Sequence, residues 1–95
     1  MEFLKEYGFE KEDISELVDN TPKKLLKLLE DHEELVEANL KYLKGLKILT
    51  YKEILISYPD MFLMDHSNFK DMFEKYETDE LVEKLNSNYK VVEYL

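Results

Sequence analysis

Apolar residues recur three and four positions apart through most of the chain, which is the spacing of one face of an α-helix. Residues 10–19 give the clearest example, because Ile14, Leu17 and Val18 share one face. The pattern predicts an all-α fold in a single domain spanning residues 1–95, built as a small bundle of five to six short helices. Residues 89–95 have the character of an extended C-terminal tail, with a docked final turn as the alternative.

Turn and capping residues divide the apolar stretches into separate helices. Gly8 suits the left-handed residue that ends a first short helix. Asp31 favours a break between two helices over one continuous helix across residues 22–44. The predicted starts of the other helices are Thr21 followed by Pro22, Thr50 paired with Glu53, Asp65 or Ser67, and Thr78.

Two parts of the chain are similar to each other, which indicates repeated structure. Placing Pro22 on Pro59 aligns Ile14 with Tyr51, Leu17 with Ile54, Leu25 with Phe62 and Val36 with Phe73. Upstream, FLKEYGF at residues 3–9 matches YLKGLKI at residues 42–48, with Lys47 in the place of Gly8. The similarity predicts two helical-repeat-like units, each with a helix, a turn, a second helix, a proline and a short turn.

The segment FLKEYGFEKEDISELVDNTPKKL resembles the repeat of the mitochondrial transcription termination factor (mTERF) family. The second, shorter copy is YLKGLKILTYKEILISYPDMF, and the resemblance extends roughly over residues 3–76. It rests on spaced leucines and isoleucines followed by a proline. The resemblance implies a stack of helical repeats that forms a curved, basic, nucleic-acid-binding solenoid.

The charge of the chain argues against that function. The net charge is −9, with 22 acidic residues against 13 basic residues, all of which are lysine. Arginine is the preferred donor for forked contacts to phosphate and guanine, so its absence and the negative field make nucleic-acid binding unlikely. A lysine-rich composition without arginine is typical of an AT-rich bacterial or phage genome.

The chain also lacks the usual signs of catalysis, metal binding and membrane insertion. There is no cysteine, and His32 and His66 do not have a zinc-ligand spacing. The serines have no nucleophile-elbow pattern, and two isolated glycines cannot build a phosphate-binding loop. No signal peptide or membrane span is visible. We therefore expect a cytoplasmic protein that is not an enzyme and holds no cofactor or metal.

The second half of the chain carries a run of apolar side chains, residues 61–64, that cannot all face one core. The predicted partner-binding residues are Tyr58, Met61, Phe62 and Met64. The sequence thus predicts a small acidic interaction module that binds a protein through an apolar-aromatic patch with an acidic rim. The first alternative is an acidic inhibitor, or nucleic-acid mimic, that blocks a basic nucleic-acid-binding protein. The least favoured is an mTERF-like repeat that binds nucleic acid.

Overall fold

The computed structural model describes residues 1–95 and contains only helices and turns. The α-helices are α1 (Lys11–Asn20), α2 (Lys23–Asp31), α3 (Glu33–Gly45), α4 (Tyr51–Ser57), α5 (His66–Glu74) and α6 (Thr78–Ser87). Three 3₁₀ helices accompany them: an N-terminal one (Glu2–Tyr7), a central one (Pro59–Leu63) and a C-terminal one (Tyr89–Tyr94). The predicted all-α bundle is confirmed, and the predicted break near Asp31 separates α2 from α3.

Two turns in the chain have left-handed backbone geometry, and they fall where FLKEYGF was aligned with YLKGLKI. Gly8 has φ = 84° and Lys47 has φ = 67°. In each turn the next amide, that of Phe9 or of Ile48, donates to the carbonyl five residues earlier. This is the hydrogen bond of a Schellman-type helix end, so the aligned segments adopt equivalent turns.

The aligned parts of the chain also pack against each other. The helix α1 contacts α4, α2 contacts the central 3₁₀ helix, and α3 lies between the N-terminal 3₁₀ helix and α5. The nine elements follow one another as three groups of three. The first group is the N-terminal 3₁₀ helix with α1 and α2, the second is α3 and α4 with the central 3₁₀ helix, and the third is α5 and α6 with the C-terminal 3₁₀ helix.

The third group was not visible in the sequence because it has no proline at the matching position. Where Pro59 begins the central 3₁₀ helix, Asn88 precedes the C-terminal one. The Asn88 side chain accepts a hydrogen bond from the Lys90 amide at 3.1 Å. The C-terminal 3₁₀ helix therefore begins with an asparagine cap and without a proline. An alignment of the sequence that is anchored on prolines consequently finds only the first two groups.

Nineteen apolar side chains form one core. At its C-terminal side Phe69 lies between Phe62 and Phe73, with ring centroids 5.4 and 5.0 Å apart. Tyr42 closes the cluster with its ring edge-on to Phe69, at 6.3 Å. Aromatic pairs of this geometry contribute about 0.5–1.5 kcal/mol each beyond the area that they bury.

Among the predicted helix starts, that at Asp65 is confirmed, since its carboxylate accepts from the Asn68 amide at 3.4 Å. The start predicted at Thr78 is wrong by one residue. The longer Glu77 side chain reaches the Glu80 amide at 2.7 Å and caps α6 instead. The break after Asp31 has no side-chain cap, because His32 occupies the N-cap position and makes no such bond.

Of the two remaining predicted starts, Thr50 occupies the N-cap position of α4 as predicted, whereas Thr21 lies one residue before the N-cap position of α2; neither side chain makes a capping hydrogen bond. The Thr50 hydroxyl donates to the Leu85 carbonyl at 3.0 Å, which ties the start of α4 to α6 rather than capping α4. Thr21 is buried with an unpartnered hydroxyl, and Pro22 stands at the N-cap position of α2, one place earlier than predicted.

The predicted extended C-terminal tail is wrong, and the alternative of a docked final turn is what the chain adopts. Residues 89–94 form a 3₁₀ helix that packs against α4 and α6. Val92 is buried by this packing, and burial of its apolar side chain stabilises the docked turn. An extended strand at this end would have no partner strand to pair with. No helix of the protein is long and apolar enough to cross a membrane.

Candidate functional site

The predicted partner-binding residues divide into accessible and inaccessible ones. Tyr58, Met61 and Met64 are half-buried, with parts of their side chains packed against the core. Phe62 is fully buried, so its assignment to an exposed patch is wrong. The reason is the period of a 3₁₀ helix, in which positions three apart lie on one side: Pro59 and Phe62 both face inward.

Tyr58 is held in place by the C-terminal 3₁₀ helix. Its hydroxyl donates a hydrogen bond to the Glu93 carboxylate, and its ring lies 6.4 Å from that of Tyr89. The hydrogen bond to Glu93 and then partial desolvation raise the pKa of Tyr58 to about 12, with smaller effects of Tyr89 and Tyr94. The ring contact places Tyr58 beside the C-terminal 3₁₀ helix, which carries both Tyr89 and Tyr94.

A fourth tyrosine joins this group from the end of α5. The Tyr76 hydroxyl donates to the Tyr94 carbonyl at 3.4 Å. Tyr76 is 41% exposed and Tyr94 is 83% exposed, which makes Tyr94 the most exposed large apolar side chain of the protein. We call Tyr58, Tyr76, Tyr89 and Tyr94 the tyrosine surface.

Carboxylates border the tyrosine surface. Glu93 contacts Tyr58, and Glu77 and Glu80 line a small cavity of about 110 Å³ beside Tyr76. Lys84 also lines that cavity, where its ammonium lies 3.6 Å from the Glu80 carboxylate. The tyrosine surface therefore combines aromatic rings and hydroxyl groups, and most of the charged groups that border it are carboxylates.

Sequence reasoning found Tyr58 and missed the other three members. Tyr76, Tyr89 and Tyr94 are not among the predicted partner-binding residues, and residues 89–95 are predicted to be extended. The three-residue period of a 3₁₀ helix, applied to the tail, would have predicted that Tyr94 is exposed. With that period Tyr89, Val92 and Leu95 lie on the side packed against the core, and Tyr94 does not. Nothing in the sequence signals that Tyr58 meets Glu93.

The other side chains that could bind a metal or take part in catalysis lie apart from one another. His32 lies exposed between α2 and α3, whereas His66 begins α5 and hydrogen-bonds to Asn39. No group of three or more histidine, aspartate or glutamate side chains is arranged to hold a metal ion. None of the serines is hydrogen-bonded to a histidine.

The fold and this surface define a small all-α protein with an aromatic face edged by carboxylates. No protein-family model, characterised protein or solved structure matches the chain. The resemblance to mTERF repeats therefore stays a prediction from the residues, and function must be inferred from the surface itself.

Proposed function

We propose that the chain is a small, non-enzymatic interaction module that binds a protein partner through the tyrosine surface. The observation that carries this proposal is the convergence of four tyrosines from three separate segments, of which Tyr94 is strongly and Tyr76 partly exposed. Tyrosine combines a large apolar ring with a polar tip and has few rotatable bonds, which is why it is enriched at protein interfaces. Met61, one turn after Tyr58, adds a flexible apolar side chain at the edge.

The expected partner carries positive charge where it meets this surface. The net charge of −9 and the carboxylates of Glu77, Glu80 and Glu93 favour approach of a basic surface. Aromatic rings add to this preference, because lysine and arginine side chains bind favourably over their faces.

The proposal is tested by capture from native lysate with matched variants. The wild type is compared with a Tyr76→Ser/Tyr94→Ser double variant and with Leu28→Ser, which alters an apolar residue on α2 that is 45% exposed. We expect at least one protein to be held by the wild type and by Leu28→Ser but lost by the double variant, and to remain bound at about 1 M salt. Identical captured sets for all three proteins would contradict the proposal, provided that circular dichroism shows all three folded.

The alternative of an acidic inhibitor or nucleic-acid mimic has one specific observation in its favour. Glu12, Glu16 and Asp19 lie on one open, wholly polar face of α1. Neutralising these three carboxylates (Glu12→Gln, Glu16→Gln, Asp19→Asn) separates the two functions. A mimic would lose its basic partner through these changes and at high salt, whereas a partner of the tyrosine surface would be retained in both conditions.

A further inference from the structure

A second feature lies between α3 and α5, away from the exposed tyrosines. Ala38, Lys41 and Tyr42 on one face of α3, with His66 and Lys70 one turn apart on α5, line a shallow pocket of about 370 Å³.

The histidine in this pocket is held in one orientation by a buried asparagine. Asn39 is fully buried, and its Nδ2 donates to the carbonyls of Phe62 and Met64, at 3.1 Å each. Its Oδ1 is therefore left as an acceptor, and it lies 2.8 Å from Nδ1 of His66. That contact requires a hydrogen on Nδ1, so Nε2 is the ring nitrogen left for a ligand.

The imidazole is also packed from the side. The Tyr42 ring stands edge-on to His66 with centroids 6.3 Å apart and an interplanar angle of 87°. The orientation of His66 is thus set by two contacts from α3, one polar and one aromatic. A group held in this way loses little conformational entropy when it binds a ligand.

The two lysines of the pocket have no carboxylate partner. The four ion pairs of the protein involve other lysines, and neither Lys41 nor Lys70 lies within ion-pair distance of an acidic side chain. In a chain with 22 acidic residues, this pocket is lined by two lysines and a histidine and by no carboxylate.

Carboxylates limit how much negative charge the pocket accepts. Burial and then the charges of Glu74 and Asp71 raise the pKa of Tyr42, so the negative charge of these carboxylates acts on one of the residues that line the pocket. A polyanion such as nucleic acid would meet these carboxylates and the overall negative field. A single compact anion is small enough to contact the lining residues alone, and none of these is acidic.

We propose that this pocket binds one tetrahedral oxyanion, the phosphoryl group of a phosphate monoester. Lys41 and Lys70 supply ammonium donors from opposite helices, and the imidazolium form of His66, which carries a hydrogen on both ring nitrogens, donates the third contact from Nε2. Three converging groups suit the three free oxygens of a phosphoryl group better than the two oxygens of a carboxylate. The phosphoryl group can belong to a free small molecule or to a phosphorylated side chain, and the experiment distinguishes these sources.

The test is a titration of the full chain followed by amide NMR shifts at constant ionic strength. The probes are inorganic phosphate, a phosphoserine peptide and its unphosphorylated form, with sodium chloride as the salt control. We expect saturable shifts confined to residues 38–42 and 65–70, with dissociation constants of about 1 mM for phosphate. If the phosphoserine peptide saturates the shifts at a lower concentration than inorganic phosphate does, the ligand is a phosphorylated side chain. If inorganic phosphate saturates them at the lower concentration, the ligand is a small molecule.

Matched variants decide whether these residues form the site. Lys41→Gln and Lys70→Gln should each weaken binding about fivefold, since each removes one charge-assisted hydrogen bond. Lys75→Gln, an exposed unpaired lysine at the end of α5, should leave binding unchanged. Shifts that chloride reproduces, shifts that do not saturate, or full binding by the double lysine variant would overturn the proposal. The Tyr76→Ser/Tyr94→Ser variant should still bind phosphate, so this test stands apart from that of the tyrosine surface.

Discussion

The turn at Gly8 and the turn at Lys47 have the same left-handed backbone but are supported differently. At the first turn glycine adopts φ = 84° without a steric cost, and the Tyr51 hydroxyl donates to the adjacent Tyr7 carbonyl. At the second turn a lysine adopts φ = 67°, and both ends of the Asn86 amide bind the turn. Its oxygen accepts from the Leu49 amide at 2.7 Å, and its nitrogen donates to the Lys47 carbonyl at 3.1 Å.

This difference shows how the same left-handed turn is stabilised with and without a glycine. A left-handed conformation costs a non-glycine residue about 1–2 kcal/mol. Two hydrogen bonds from one side chain return a similar amount, at about 0.5–1.5 kcal/mol each. In both turns the supporting side chain comes from the following group of elements: Tyr51 begins α4 and Asn86 lies near the end of α6. Contacts between groups therefore stabilise each turn.

The largest effect is expected for Gly8→Ala. The added Cβ would lie 3.0 Å from the Tyr51 hydroxyl and would also carry the cost of a positive φ. We expect a loss of about 2 kcal/mol in the free energy of unfolding, measured by urea denaturation. The control is Gly45→Ala, where nothing lies within 4 Å of the added Cβ and stability should be unchanged or slightly higher. Equal stability of the two variants would show that the first turn needs no glycine.

Asn86→Ala should have the next largest effect, because it removes both hydrogen bonds that support the second turn. We expect a loss of about 1.5 kcal/mol, less than the full sum of two bonds since water can reach the freed groups. Ser87→Ala, at the exposed neighbouring position, serves as the control. If both alanine variants unfold at the same urea concentration, the second turn does not depend on the asparagine.

Tyr51→Phe tests the corresponding support of the first turn. The ring stays in edge contact with Phe9, with centroids 6.0 Å apart, and only the bond to the Tyr7 carbonyl is lost. The expected loss is about 1 kcal/mol, smaller than for Asn86→Ala because one bond is removed instead of two. Tyr94→Phe, at an 83% exposed position, should leave stability unchanged. A larger loss for Tyr51→Phe than for Asn86→Ala would reverse the comparison.

Lys47→Gly should stabilise the protein, by about 0.5 kcal/mol. Relief of the left-handed strain slightly outweighs the greater freedom of glycine in the unfolded chain. Lys47→Ala is the matched control, since it removes the side chain and keeps the strain, and it should leave the unfolding midpoint unchanged. A destabilised glycine variant would mean that the Lys47 side chain itself stabilises the turn.

The smallest effect concerns a further contact between groups, from Tyr58 to Glu93. Because the pKa of Tyr58 is raised to about 12, this contact contributes to stability below pH 10 and its contribution is lost as the pH rises through about 12. Tyrosinate absorbance should show late-titrating tyrosines, Tyr42 among them; the contribution of Tyr58 should be absent from Tyr58→Phe and should titrate earlier in Glu93→Gln. An unchanged titration curve for Glu93→Gln would exclude the hydrogen bond as the cause.

Local sequence signals determined where the chain turns. Gly8, the prolines and the three- and four-residue spacing of leucines predicted the helical class, the first left-handed turn and the alignment that pairs Lys47 with Gly8. These predictions hold because the backbone preferences of glycine and proline, and the burial of one helix face, act over a few neighbouring residues.

Tertiary structure decided which polar side chains serve which purpose. Thr50 was predicted to cap its own helix and instead donates to α6, and Phe62 was predicted at the surface and instead fills the core. The Asn39–His66 contact joins residues far apart in the chain, as does the Tyr58–Glu93 contact. A polar side chain with several possible hydrogen-bond partners binds the unpaired carbonyl, amide or carboxylate that lies within its reach in the folded chain. Which group lies within reach is determined only when the helices pack together.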